Sequence, residues 1–177
     1  MAILTTLQQL DTRLFARVFK QGERRTTLRS IAKVLSRTGD GYLHLLLPLV
    51  LAIAAAELLT PYCLLLATAM GVERFVYFIL KNTLKRRRPQ DFVPGFRSII
   101  TASDKFSFPS GHSSAAFCLA TVTGIVLGGP FMALYVWASA VAISRVLLGV
   151  HFPGDTVAGA LLGSSIAVLS AQQLGVI

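Results

Sequence analysis

The chain has 177 residues, enough for one domain, with 54% hydrophobic and only 14% charged residues. A soluble domain carries about a quarter charged residues, and here the apolar residues come in long blocks, so an integral membrane protein is expected rather than a soluble one. The net charge of +9 does not point to nucleic acid, because the basic residues lie beside apolar spans; anionic lipid headgroups and a phosphorylated substrate account for them better.

The first twenty residues hold Asp11, Arg13, Arg17 and Lys20 without a long apolar core, so no cleavable signal peptide is expected. Segments 3–19 and 26–36 show helical apolar spacing: Leu7, Leu10, Leu14 and Val18, then Leu28, Ile31 and Leu35. Their many Lys and Arg residues predict two amphipathic helices lying in the membrane interface; a sixth, poorly hydrophobic span is the alternative for 26–36. Five stretches approach the ~20 apolar residues that a crossing helix needs: 42–59, 61–80, 112–129, 130–150 and 156–174. Thr60-Pro61 and Gly128-Gly129-Pro130 read as the short turns between them. The long connection 83–109 carries Pro89, Pro94, Gly95 and the aromatics Phe92, Phe96, Phe106 and Phe108, and a loop of this length is usually functional. Cys63 and Cys118 sit inside apolar spans and read as small buried hydrophobes. The expected fold is therefore all-α: a single domain, 1–177, forming a polytopic membrane helical bundle of five to six spans. Residues 1–40 are its interfacial helices and 42–174 its helical core.

Three short clusters stand at the ends of these spans. They are Lys81 with Arg88-Pro89, then Pro109-Ser110-Gly111-His112, then Ser144-Arg145 with His151 and Asp155. Antiparallel alternation of the spans brings all three to one membrane face. Lys81, Arg88 and Arg145 offer a mobile point charge and two planar forks of donors to phosphate oxygens. Arg145 lies within a span, where a cation is a functional hypothesis by default. Ser110 and Gly111 open a helix whose free N–H groups suit an anion, although Ser110 reads equally as a plain N-cap. His151 and Asp155 are spaced for one helix face, or for a turn that serves as well; the carboxylate fixes the imidazole tautomer and leaves the other nitrogen free to attack phosphorus. Two histidines and a carboxylate can also ligate zinc or iron, but no tight local ligand motif is present and three neighbouring cations repel a divalent ion, so neither metal nor other cofactor is expected. Lys85, Arg86 and Arg87 read as a juxtamembrane anchor on anionic lipid.

In order, the clusters match K-x6-R-P, P-S-G-H and S-R-x5-H-x3-D, and the chain resembles the type 2 phosphatidic acid phosphatase superfamily over 81–155 without a departure from that pattern. The resemblance implies a metal-free membrane lipid phosphatase. In it His151 is the nucleophile that becomes phosphohistidine, Asp155 orients it, and His112 is general acid and later base. Lys81, Arg88, Ser110, Gly111 and Arg145 form the phosphate cradle. Phosphatidic acid, phosphatidylglycerol phosphate, an isoprenyl phosphate or pyrophosphate and a phosphorylated glycolipid all remain open as substrates. The alternatives are a phosphotransferase using the same intermediate, or a non-catalytic phospholipid-binding or transport protein.

Some residues fall outside the signature. Glu73 and Arg74 lie within the second span, with Arg74, Tyr77 and Lys81 on one face; Glu73 is expected to pair with a cation inside the bundle, Arg145 being the candidate. His44 reads as interfacial or packed. Gly159 and Gly163 form G-x-x-x-G, suited to close packing within the bundle. Basic residues crowd the site-bearing side, which by the positive-inside rule faces the cytoplasm of a bacterial inner membrane. The resemblance implies that a periplasmic site is common among bacterial relatives, which stands as the alternative.

Overall fold

The computed structural model describes residues 2–177, with the side chains of 2–5 and of residue 7 outside the description. The expected contribution of Leu7 to the first apolar stripe therefore lies outside the described residues. The helices run in chain order α1 (Ala2–Arg24), α2 (Thr26–Thr38), α3 (Tyr42–Ala54), α4 (Ala56–Leu84), a single turn α5 (Pro89–Phe92) and α6 (Gly111–Leu127). A 3-10 turn (Gly129–Ala133) then leads into α7 (Leu134–Leu147) and α8 (Pro153–Gln173).

The outer surface is carpeted with exposed apolar side chains, among them Leu45, Ile53, Phe75, Val136 and Leu161. Polar groups lie inside instead: Glu73, Ser113, Ser114, Thr123 and Asp155 are fully buried. This inversion is what a lipid solvent selects, and the chain is an integral membrane protein. Among the described residues, three segments are long and apolar enough to cross a membrane, Ala56–Phe92, Gly129–Leu147 and Pro153–Gln173. Tyr42–Ala54 and Gly111–Leu127 are apolar but shorter.

The α3–α4 reversal falls at Ala55, not at Thr60-Pro61 as the sequence suggested. Ala55 donates its N–H to the Leu51 carbonyl at 2.9 Å, and its own carbonyl accepts from Leu58 at 3.0 Å. One non-helical residue thus reverses the chain with both backbone groups satisfied, as an apolar surrounding demands. Pro61 sits near the start of α4, where its missing N–H costs a single helix bond.

α6 is the central helix, packed by α4, α7 and α8. Gly159 and Gly163 let α8 lie parallel and close against it. A Cβ at Gly163 would stand 2.0 Å from the Ser114 carbonyl oxygen, and one at Gly159 would stand 2.5 Å from that of Ser110. The G-x-x-x-G pattern thus packs helices within the bundle, as its small residues suggest.

The N-terminal helices dock rather than float. On α1, Leu10 and Leu14 of the expected stripe point outward, while Phe15 packs against Phe152, Phe96 and Phe19. α2 runs antiparallel along α7: Ala32 meets Leu147 and Leu148, and Trp137 Nε1 donates to Thr38 Oγ1 at 3.0 Å. The long loop is pinned by Phe96 on Phe19 and by the Ile99 N–H on the Leu148 carbonyl at 2.9 Å.

Candidate active site

The ends of α4 and α7, the starts of α3, α6 and α8, and the 93–109 loop converge on one face. They surround a cavity of about 720 Å³. Arg88, Arg145, His112 and His151 line it, together with an apolar wall of Leu66 and Met70.

His151 lies in the turn before α8, not on the helix, and is 2% exposed. Its Nδ1 faces Asp155 Oδ2 at 3.7 Å, beyond hydrogen-bond reach, and has no other partner among the described residues. Its Nε2 lies 3.5 Å from Arg88 Nη1. Burial pushes the imidazole down to about 4, and the Arg88 and Arg145 charges push the same way against Asp155. The ring is therefore neutral at pH 7 and able to offer a lone pair. Asp155, in the first turn of α8, accepts three hydrogen bonds: Oδ1 from Arg86 Nη1 at 2.6 Å, and Oδ2 from the Phe152 N–H at 2.8 Å and from Ser107 Oγ.

Lys81 and Arg88 converge on a partner that the sequence reading missed. Lys81 Nζ lies 3.0 Å from Asp104 Oδ2, and Arg88 Nη2 lies 2.5 Å from Asp104 Oδ1. The Tyr77 hydroxyl donates to the same carboxylate at 3.0 Å and accepts from Lys81 Nζ at 2.7 Å. Burial acts to raise the Asp104 carboxyl, but the hydrogen bonds and charges of Lys81 and Arg88 outweigh it and hold the group below the ordinary carboxylate range. Arg88 also donates from Nη1 to the Val150 carbonyl at 2.5 Å, which ties α5 to the His151 turn. Arg145 is 4% exposed and donates to Ser36 Oγ at 2.5 Å. It makes no ion pair among the described residues, and its buried Nε has no partner there. A buried guanidinium left in this state is poised for an anion.

Ser110 is fully buried and caps α6, its Oγ accepting from the Ser113 N–H at 3.4 Å. Its own N–H donates to the Asp155 carbonyl at 2.9 Å, which locks the starts of α6 and α8 together. Gly111 has the Tyr77 ring 3.1 Å from where a Cβ would be. His112 Nε2 meets Asp40 Oδ1 at 2.7 Å. The structure thus gathers all eight residues singled out from sequence. Arg88, Gly111, His112, Arg145 and His151 line the cavity, and Lys81, Ser110 and Asp155 brace it from behind.

Two expectations are corrected. Arg86 is not a lipid anchor: it turns inward to join Asp155 and, at 2.6 Å, Asp11 of α1, with its guanidinium stacked on Phe152. Burying Asp155 requires a counter-charge, and Arg86 is close enough in the turn after α4 to supply it. Glu73 does not reach Arg145; it binds Arg74 and Ser114 Oγ. The chain holds eight Asp and Glu residues, and Asp11, Asp40, Glu73, Asp104 and Asp155 all pair with a cation or histidine of this region.

Comparison with known proteins finds relatives over most of the chain. The family model described as the PAP2 superfamily matches residues 58–176. Phosphatidylglycerophosphatase B of Bacillus subtilis is 36% identical over 73% of this chain and 70% of its own. A decaprenylphosphoryl-5-phosphoribose phosphatase of Mycobacterium tuberculosis is 30% identical over 55% of this chain and 53% of its own. Among solved structures, Aquifex aeolicus LpxE superposes with a TM-score of 0.78 at 26% identity, covering 92% of this chain and 95% of that one. The transmembrane PAP2-type phosphatidylglycerolphosphate phosphatase of Bacillus subtilis gives 0.75 at 27% identity, covering 97% and 88%.

Proposed function

The chain belongs to the PAP2 superfamily of membrane lipid phosphatases, and from that premise we propose that it hydrolyses a lipid phosphomonoester or diphosphate through a phosphohistidine at His151. The observation that carries the reading is the buried, neutral His151 beside Arg88 and the unneutralised Arg145, in a cavity with an apolar wall.

His151 Nε2 attacks phosphorus, forming a P–N bond as the bond to the lipid oxygen breaks. Asp155 supports the positive ring as it forms, closing the present 3.7 Å gap at Nδ1. His112 protonates the departing alkoxide or phosphate oxygen, then takes a proton from the water that releases inorganic phosphate. Lys81, Arg88, Arg145 and the start of α6, with Ser110 and Gly111, stabilise the equatorial oxygens. These cations fill the electrostatic role that a metal plays elsewhere, so the reaction is metal-independent. The apolar wall receives the lipid tail. The relatives named for phosphatidylglycerophosphate and decaprenyl-linked substrates support this class without selecting one member.

The apolar helices α3, α4, α6, α7 and α8 serve as five crossings, with α1 and α2 flanking the site-bearing face in one domain. The shorter α3 is accommodated by local thinning of the bilayer. That face is assigned to the cytoplasm of a bacterial inner membrane by its basic residues, with the periplasm as the alternative.

Phosphate release from a panel of pure lipid phosphates in detergent tests the proposal. The wild type turns over at least one lipid with chelator present, and His151→Ala loses about a thousandfold or more. Near-normal release by His151→Ala, or activity that requires an added divalent ion, contradicts it.

A further inference from the structure

One charged side chain in the cavity has no role in the chemistry above. Arg74 stands on the cavity-facing side of α4, two turns before Lys81 and next to the apolar wall that begins at Met70. A helix rises ~1.5 Å per residue, so Arg74 lies ~10 Å along α4 from Lys81, toward the tail end of the cavity.

Its guanidinium is held firmly. Nε donates to Glu73 Oε2, and Nη2 donates to Glu73 Oε1 at 2.6 Å and to the Gly111 carbonyl at 3.3 Å. The plane stacks on the Tyr77 ring at 4.4 Å. Glu73 is itself fixed by Ser114 Oγ. Nη1 makes no hydrogen bond among the described residues. The pair is also lopsided: Glu73 is fully buried, while the Arg74 side chain is 43% exposed. A purely structural ion pair in an apolar bundle has no reason to present one cation, braced on three sides, to a ligand cavity. The arrangement is that of a preorganised receptor whose open N–H groups face a polar atom of the bound lipid.

We propose that Arg74 binds a second phosphoryl group, placed between the scissile phosphate and the lipid tail, and so selects lipids with two phosphoryl groups over those with one. The inference rests on the lipid-phosphatase reading and adds its substrate class. Both a diphosphate linkage and a phosphodiester next to a terminal phosphomonoester place an anion in this interval.

The test compares kcat/KM for phosphatidic acid, an isoprenyl diphosphate and phosphatidylglycerol phosphate. Arg74→Gln is assayed beside the double variant Glu73→Gln/Arg74→Gln, which leaves no buried carboxylate unpaired. In both, the ratio of kcat/KM for the preferred two-phosphoryl lipid to that for phosphatidic acid falls about tenfold, the scale of a lost charge-assisted contact; Arg74→Lys restores part of it. Which of the two lipids responds distinguishes the diphosphate from the phosphodiester spacing. A ratio unchanged in either folded variant overturns the proposal. Absence of phosphate release from all three lipids by the wild type refutes the underlying phosphatase reading instead.

Discussion

At His151, burial and charge act in the same direction. The ordinary imidazole value of 6.5 falls to about 4 in the folded chain, so between those values the unfolded chain binds more protons. The stability this residue contributes is intact above pH ~6.5 and is lost as pH falls toward ~4. Thermal unfolding in detergent from pH 7 to 4 therefore shows a steeper acid loss for the wild type than for His151→Gln; parallel curves would show that the ring titrates normally. Asp104 gives a second prediction at this scale. Its carboxylate occupies Lys81 and Arg88, the two cations that the proposed mechanism gives to the incoming phosphate. Asp104→Asn frees them, so KM falls roughly three- to tenfold, since the share of enzyme ready for phosphate rises. A raised KM would show that Asp104 instead holds the cradle in shape. The pairing of Asp104 with Lys81 and Arg88 was not legible in the sequence. His151 and Asp155 announce themselves by local spacing, whereas Asp40 and Asp104 meet their partners only through the fold, with no periodic or motif signal to mark them. Arg86 misled for the same reason: within a basic run, nothing local separates an inward arginine from its outward neighbours.

Among the elements, the α6–α8 contact sets the precision of the site, because these two helices carry Ser110–His112 and Asp155 at their starts. Gly163→Ala places a methyl against the Ser114 carbonyl, where backbone cannot yield. It is expected to lower the unfolding temperature and to cost at least about tenfold in activity by displacing the start of one helix against the other. Gly71, within α4, has open space where a Cβ would be. Gly71→Ala there is expected to be neutral or to stabilise by up to about 1 kcal/mol. Equal tolerance of both substitutions in a detergent melting assay would refute the close-contact account. The apolar blocks made α4, α6, α7 and α8 readable, α6 and α8 to within three residues at each end, while α4 begins five residues before the expected start and α7 four residues after it. The α3–α4 break was not readable, because proline is a strong marker of a helix start while Ala55 carries no turn signal. The helical period of α1 was likewise visible, but not which face would dock, since Phe15 gains its value only from Phe96 and Phe152 across the fold.

On the scale of the whole molecule, alternation of apolar helices brings three clusters separated in sequence to one face, which is why their convergence is legible in the sequence. The proposed cytoplasmic side rests on side-chain charge. A single cysteine at Arg97, in a Cys63→Ser/Cys118→Ser background, is expected to resist an impermeant thiol reagent on intact cells and to react once the membrane is opened. Efficient labelling from outside would move the site to the periplasm and leave its chemistry untouched. That chemistry is tested most directly by trapping the intermediate. Wild-type enzyme, mixed with a lipid carrying a radiolabelled terminal phosphate and quenched in alkali within milliseconds, should hold label in an acid-labile, base-stable bond on the peptide containing His151. His151→Ala should hold none. Rapid turnover with no trapped label on that peptide, or label that survives in His151→Ala, would contradict the account.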